Sequence, residues 1–252
     1  MTDPQFWLVA ASAVFIVALA KSGLLGSIGL IGVPLLTFVM PPREAAGMML
    51  PLLLVMDAFA VYNYRHEFDW RNLKLLLPGA MAGIAFGWAI SARVSEDMVL
   101  LGIGVISLVF ILDAVLPLRK KLEGRASSRP WGVLWGAIAG FTSFISHTGG
   151  PPYQVYVLPQ RLKPTIYAGT TAWFFASVNT TKLVPYYFLG QLSLGNLLHS
   201  AILVPVAIAG MLLGIFLVRR ISAQAFYKIA YTLVFLISLK LIYDGATRLI
   251  WA

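Results

Sequence analysis

Residues 146–154 read SHTGGPPYQ: polar side chains, two glycines and two prolines in a chain that is otherwise mostly apolar. Neither Gly-Gly nor Pro-Pro favours a continuing helix, so the backbone is expected to break there. Such a break frees backbone N–H groups, and a helix starting just after it turns the positive end of its dipole toward an anion. Gly149 and Gly150 allow close backbone approach, and Pro151 and Pro152 suit the first turn of the next half-helix. Ser146, His147, Thr148, Tyr153 and Gln154 add side-chain donors. The stretch is either an anion-binding break or a tight hairpin whose side chains satisfy its own backbone. His147, beside His66 and His199 the third histidine of the chain, is either a proton carrier or a neutral hydrogen-bonding partner.

A second polar group, Asn179-Thr180-Thr181-Lys182, lies inside an apolar run. A lysine at the centre of a membrane helix costs about 2.5–3.5 kcal/mol on insertion scales, so it calls for compensation. Asp57 is the obvious protein partner, a bound anion is the alternative, and snorkelling toward the interface is a third. Ser22 and Ser27 flank an earlier glycine-rich stretch, GSIGLIGVP (Gly26 to Pro34), where Ser27 and Gly29 are further candidates for a ligand. Thr170 and Thr171 are weaker, because hydroxyls on membrane helices usually bond back to their own carbonyls.

The elements that must hold these groups are helices in a membrane. Of 252 residues, 59% are hydrophobic and 12% charged, against about 25% charged in a soluble domain. Ten apolar segments fall near 6–22, 24–40, 45–64, 73–91, 98–116, 131–146, 149–159, 165–189, 196–217 and 223–247. Crossing a bilayer takes about 20 residues. The second and seventh segments reach the lower limit or miss it, and both contain glycine and proline, so they read as short broken helices.

The chain also repeats itself. Pro78, Gly83, Gly87 and Arg93-Val94-Ser95 share their spacing with Pro205, Gly210, Gly214 and Arg220-Ile221-Ser222, and Ala46-Gly47 matches Ala168-Gly169 at a slightly different offset. The halves are 1–117 and 131–252, joined by a basic linker at 118–130. With ten crossings, the clusters Arg65–Lys74, Arg119–Arg129, Arg161–Lys163 and Arg219–Arg220 fall on one side and Arg43, Arg93 and Arg248 on the other. By the positive-inside rule the first side is cytoplasmic and both termini are extracytoplasmic. Five crossings per half make the repeats inverted. The expected fold is thus all-α and integral to the membrane, with two inverted five-segment repeats. Secondary transporters of this design bind substrate near the midplane, between discontinuous helices.

On the breaks GSIGLIGVP and SHTGGPPYQVYVLPQ, and on the PGAMAG and VPVAIAG segments, the chain resembles the TauE/SafE family of membrane permeases. The resemblance covers nearly the whole chain. It implies export of sulfite or an organosulfonate-type anion across the inner membrane.

Other classes fit less well. The net charge of +9 lies in short connections rather than along one face, which argues against a nucleic-acid partner. Zero cysteines remove disulfides and thiolate metal sites, and no metal or other cofactor is expected. Gly-x-Ser-x-Gly, His-Glu-x-x-His and paired intramembrane aspartates are lacking, against an intramembrane enzyme. No Walker A motif is present, so ATP is not the direct energy source. An anion channel or an importer is the nearest alternative. The partners expected are a small anionic solute and the lipid bilayer, with a homodimer left open.

Overall fold

Prolines and short polar side chains start most of the helices. In the computed structural model, which describes residues 3–24, 31–91, 93–116, 128–160, 162–217 and 223–251, α1 (Pro4–Leu19) opens on a proline behind Asp3, whose carboxylate accepts from Gln5 N–H at 3.1 Å. Helices α3 (Pro42–Tyr64), α6 (Arg129–Ser146) and α8 (Pro164–Phe188) also carry proline in their first turn, where the missing N–H costs nothing. Asp69 caps α4 (Trp70–Ser91) by accepting from Asn72 N–H at 2.7 Å. Ser95 caps α5 (Glu96–Val115) through Met98 N–H, and Ser193 caps α9 (Leu194–Leu217) through Asn196 N–H, both at 3.2 Å. The long α10 (Ala223–Trp251) ends the chain.

The two remaining helices are short. α2 (Gly32–Leu36) has 5 residues and α7 (Gly150–Val157) has 8. At 1.5 Å per residue neither spans a hydrocarbon core of about 30 Å. Short helices thus stand at both places where the second and seventh segments are expected to break. Ahead of α2, α1 widens into a π-type turn over Ala20–Leu24, a form common at functional sites.

Among the described residues there are ten α-helices and no strands. Four helical stretches combine the length and apolarity needed to cross a membrane: Pro4–Ser22, Pro42–Tyr64, Trp70–Ser91 and Leu194–Gly214. The protein is a multi-pass membrane protein. Against the ten crossings expected, α2 and α7 are too short on their own, and α8 dilutes its apolar run with Asn179, Thr180, Thr181 and Lys182.

Glycines set which helices touch. A Cβ on Gly79 or Gly83 of α4 would fall on the carbonyl oxygens of Val133 and Ala137, and one on Gly136 or Gly140 of α6 on those of Leu76 and Ala80. The backbones of α4 and α6 are therefore in contact, running parallel, as small-residue seams in membranes allow. α1 and α9 also run parallel, with Gly210 against Ala18 and Gly214 against Ser22. α3 and α8 run antiparallel at the centre. Gly47 near the start of α3 abuts the Gln191 carbonyl just past α8, and Gly169 near the start of α8 abuts the Glu67 carbonyl just past α3. Met48, Met49 and Met56 are buried in this core.

Candidate functional site

A cavity of about 370 Å³ lies where α1, α2, α3, α6, α7 and α8 meet. Val17, Val33, Met49, Leu53 and Phe175 give it apolar walls, while Lys21, Asp57, Ser143, His147 and Asn179 put polar groups into it. Volume and lining are those of a small-molecule site: mostly apolar, with a few placed polar groups.

Each polar group is delivered by an irregularity or by a neighbouring helix. Lys21 projects from the π-type turn at the end of α1 and forms an ion pair with Asp57 of α3. The second carboxylate oxygen of Asp57 accepts from Asn179 Nδ2 of α8 at 2.6 Å. Asp57 is 3% exposed, which buries the Asn179 contact, while Lys21 is half-buried.

His147, also lining the cavity, ends α6 in the left-handed region, at φ 57° and ψ 23°. Its Nε2 lies 2.9 Å from the Ala46 carbonyl. A carbonyl only accepts, so Nε2 carries the proton, and in the neutral ring Nδ1 is then an acceptor. Lys182 Nζ donates to that Nδ1 at 2.6 Å and to the Ser143 carbonyl and hydroxyl at 3.0 Å each. Three ammonium donors thus meet three acceptors. One of them is a carbonyl of the last turn of α6, at the negative end of the helix dipole. Lys182 itself is fully buried and sits behind His147 rather than on the cavity wall.

The expected site residues fall in different places. Asp57, His147, Gly150 and Asn179 converge on the cavity. Ser146, Thr148 and Gly149 serve the break itself: Ser146 and Thr148 share a hydroxyl hydrogen bond of 2.8 Å, and Thr148 Oγ1 donates to the Thr142 carbonyl at 3.2 Å. Gly149 packs where a Cβ would meet the Ala139 carbonyl at 2.6 Å. Gln154 is buried within α7, off the cavity wall. Ser27 and Gly29 lie outside the described residues. Thr170 and Thr171 bond back to the carbonyls of Ile166 and Tyr167, at 2.6 and 2.8 Å.

The Asp57–Lys182 pair is replaced by another. Asp57 takes Lys21, while Lys182 is satisfied by Ser143 and His147. The reason is adjacency: the end of α1 brings a second lysine to Asp57, and Lys182 faces α6. Lys21 had a signal in the sequence. It ends the first apolar segment with only Ser22-Gly23 before the next one begins, so no aqueous loop holds it.

Positive φ at His147 separates its backbone role from its side-chain role. His147→Asn, a residue tolerant of this region, is expected to keep the fold, and His147→Val to lower stability by roughly 1–3 kcal/mol through strain. Thermal unfolding in detergent compares the two; equal stabilities would contradict the assignment.

Comparison with curated proteins and with solved structures gave no match. The model of the family described as sulfite exporter TauE/SafE matches residues 10–241, which include both short helices and every polar group of the cavity. With 232 of its 252 residues inside that match, the chain belongs to the sulfite exporter TauE/SafE family.

Proposed function

We propose that this protein is a secondary transporter that exports a small anion, sulfite or an organosulfonate-type compound, across the inner membrane by alternating access. The substrate occupies the cavity between α1, α2, α3, α6, α7 and α8. The observation that carries the reading is the charge around that cavity. In their ordinary ionic forms Lys21, Lys182 and Asp57 leave one surplus positive charge, on side chains that are buried (Lys182 and Asp57) or half-buried (Lys21). An uncompensated charge at membrane depth is costly, and a bound anion offsets it. Lys21 and Asn179 are the contacts proposed for the anion, with the first amides of α7 at Gly150, which also lines the cavity. His147 couples Lys182 to it. From the first break, Ser27 and Gly29 complete the proposal.

Alternating access rests on two inverted repeats, 1–117 and 131–252, and the packing supports them. Gly47 touches the connection after α8, and Gly169 the connection after α3, the reciprocity of a two-fold relation. The partners of that relation run antiparallel, as an inverted arrangement of the two repeats requires. Ala46-Gly47 precedes Asp57 by the same interval as Ala168-Gly169 precedes Asn179, and Asp57 and Asn179 are hydrogen-bonded to each other. This bond supports a site at the interface of the two repeats. The basic linker at 118–130 faces the cytoplasm and both termini face outward. Export of one negative charge is favoured by an inside-negative potential by about 2.3 kcal/mol per 100 mV, so uniport suffices. One chain encloses the cavity, and transport of this kind makes and breaks no covalent bond.

Proteoliposomes offered labelled sulfite, sulfoacetate or taurine, with and without imposed potential and pH gradients, test the reading. Flux should be saturable, respond to potential and fall at least about tenfold, some 1.4 kcal/mol, in a Lys182→Met, His147→Ala, Gln154→Ala triple variant. Undiminished flux in that variant would reject the site. Unsaturable flux would favour a channel, and accumulation only with a co-transported cation would favour an importer.

A further inference from the structure

A second binding site stands at the start of α4 and α6, away from the cavity. The two helices are parallel and in backbone contact, so both N-termini lie at the same end of the seam. Trp70, Arg71, Lys74, Leu75 and Arg129 enclose a depression of about 400 Å³ there. Three cations meet in it, and among the described residues none that lines it is acidic. The Asp69 carboxylate beside it is engaged in capping α4. Ser128, the N-cap of α6, makes no side-chain capping bond, so that positive helix end is left to other partners.

The surroundings are those of a lipid interface. Lys74 Nζ lies 5.5 Å from the centre of the Trp70 ring, and Trp131 stacks on Trp135 at 6.5 Å between centroids. Trp70 and Trp131 are exposed, as are Val133 and Leu134 in the first turns of α6. Indole rings favour the headgroup level of a bilayer, and basic pockets between membrane helices hold anionic headgroups.

We infer that the Trp70–Arg71–Lys74–Arg129 depression binds the phosphate headgroup of an anionic phospholipid. The charge complements a phosphodiester, and the exposed Trp70 and Trp131 rings at the helix starts, suited to the headgroup level, favour a lipid over a soluble phosphate compound. The bound lipid bridges the N-termini of α4 and α6 and braces the seam between the two halves of the chain.

Native mass spectrometry of the full-length protein, released from nanodiscs of phosphatidylglycerol or of phosphatidylcholine, tests this. Phosphatidylglycerol adducts should persist on the protein and phosphatidylcholine adducts should not. An Arg71→Gln, Lys74→Gln, Arg129→Gln variant should lose the adducts about tenfold, while Arg65→Gln, Lys163→Gln, Arg248→Gln, which removes equal charge elsewhere, should keep them. Arg71→Lys with Arg129→Lys should retain most binding, which guards against a folding defect in the triple variant. Equal adducts in both triple variants would overturn the site. Displacement of the lipid by millimolar inorganic phosphate would overturn the lipid assignment in favour of a soluble phosphate ligand.

Discussion

Asp57→Ala is expected to destabilise the protein by about 3–5 kcal/mol, because it strands the Lys21 ammonium at membrane depth without its counter-charge. The same substitution removes the acceptor of Asn179 Nδ2, adding an unsatisfied donor in a buried place. Lys21→Met should cost a comparable amount by leaving the carboxylate unpaired. The Lys21→Met, Asp57→Leu double variant replaces both charges with apolar groups of similar size. It should recover stability to within about 1 kcal/mol of the parent, since a buried ion pair is roughly equivalent to a well-packed apolar pair. Its transport should nevertheless be lost, because the cavity has given up the lysine proposed to meet the anion. Unfolding in detergent and flux in proteoliposomes, run on all four proteins, read the cycle. A double variant as unstable as either single would show that the pair is not an independent unit. A transport-competent double variant would remove Lys21 from the site.

The second large effect belongs to the α4–α6 seam. Gly83→Ala places a methyl group on the Ala137 carbonyl oxygen, with Phe141 N at 2.8 Å as the next obstacle. Both are backbone atoms, so no rotamer change makes room and the helices must part. Overpacking of this type costs about 1–3 kcal/mol, and separation at Gly83 also loosens the contacts of Gly79, Gly136 and Gly140. Gly102→Ala in α5 is the matched control. Its Cβ meets nothing within 4 Å, so the helix-propensity gain of up to about 1 kcal/mol remains. Opposite signs of stability change are expected from the same chemical substitution. Equal effects would mean that glycine acts here through chain flexibility rather than through contact.

Much of the architecture was legible in advance. The stretch SHTGGPPYQ announced a break, and α6 ends at Ser146 with α7 starting at Gly150. Local chemistry suffices for that: neither a glycine pair nor a proline pair sustains the hydrogen-bond ladder. The glycine spacing of 83/87 and 210/214 stood out as a repeat, and both pairs lie in close contacts, with α6 and with the end of α1. Apolar composition announced the membrane.

The identity of the buried partners was not legible. Lys182 and Asp57 were the natural pair to draw, as opposite charges on corresponding segments. The structure gives Asp57 to Lys21, and Lys182 to Ser143 and His147. Nor did the sequence separate Gly149, which packs under Ala139, from Gly150, which lines the cavity. By itself the sequence determined the features set by short-range rules: hydrophobic span, helix start and stop, and the surfaces smooth enough for close packing. Tertiary structure alone decided which charges meet. Electrostatic partners are chosen by distance and burial, and Lys21 and Asp57 lie 36 residues apart on helices whose adjacency is a property of the whole packed bundle.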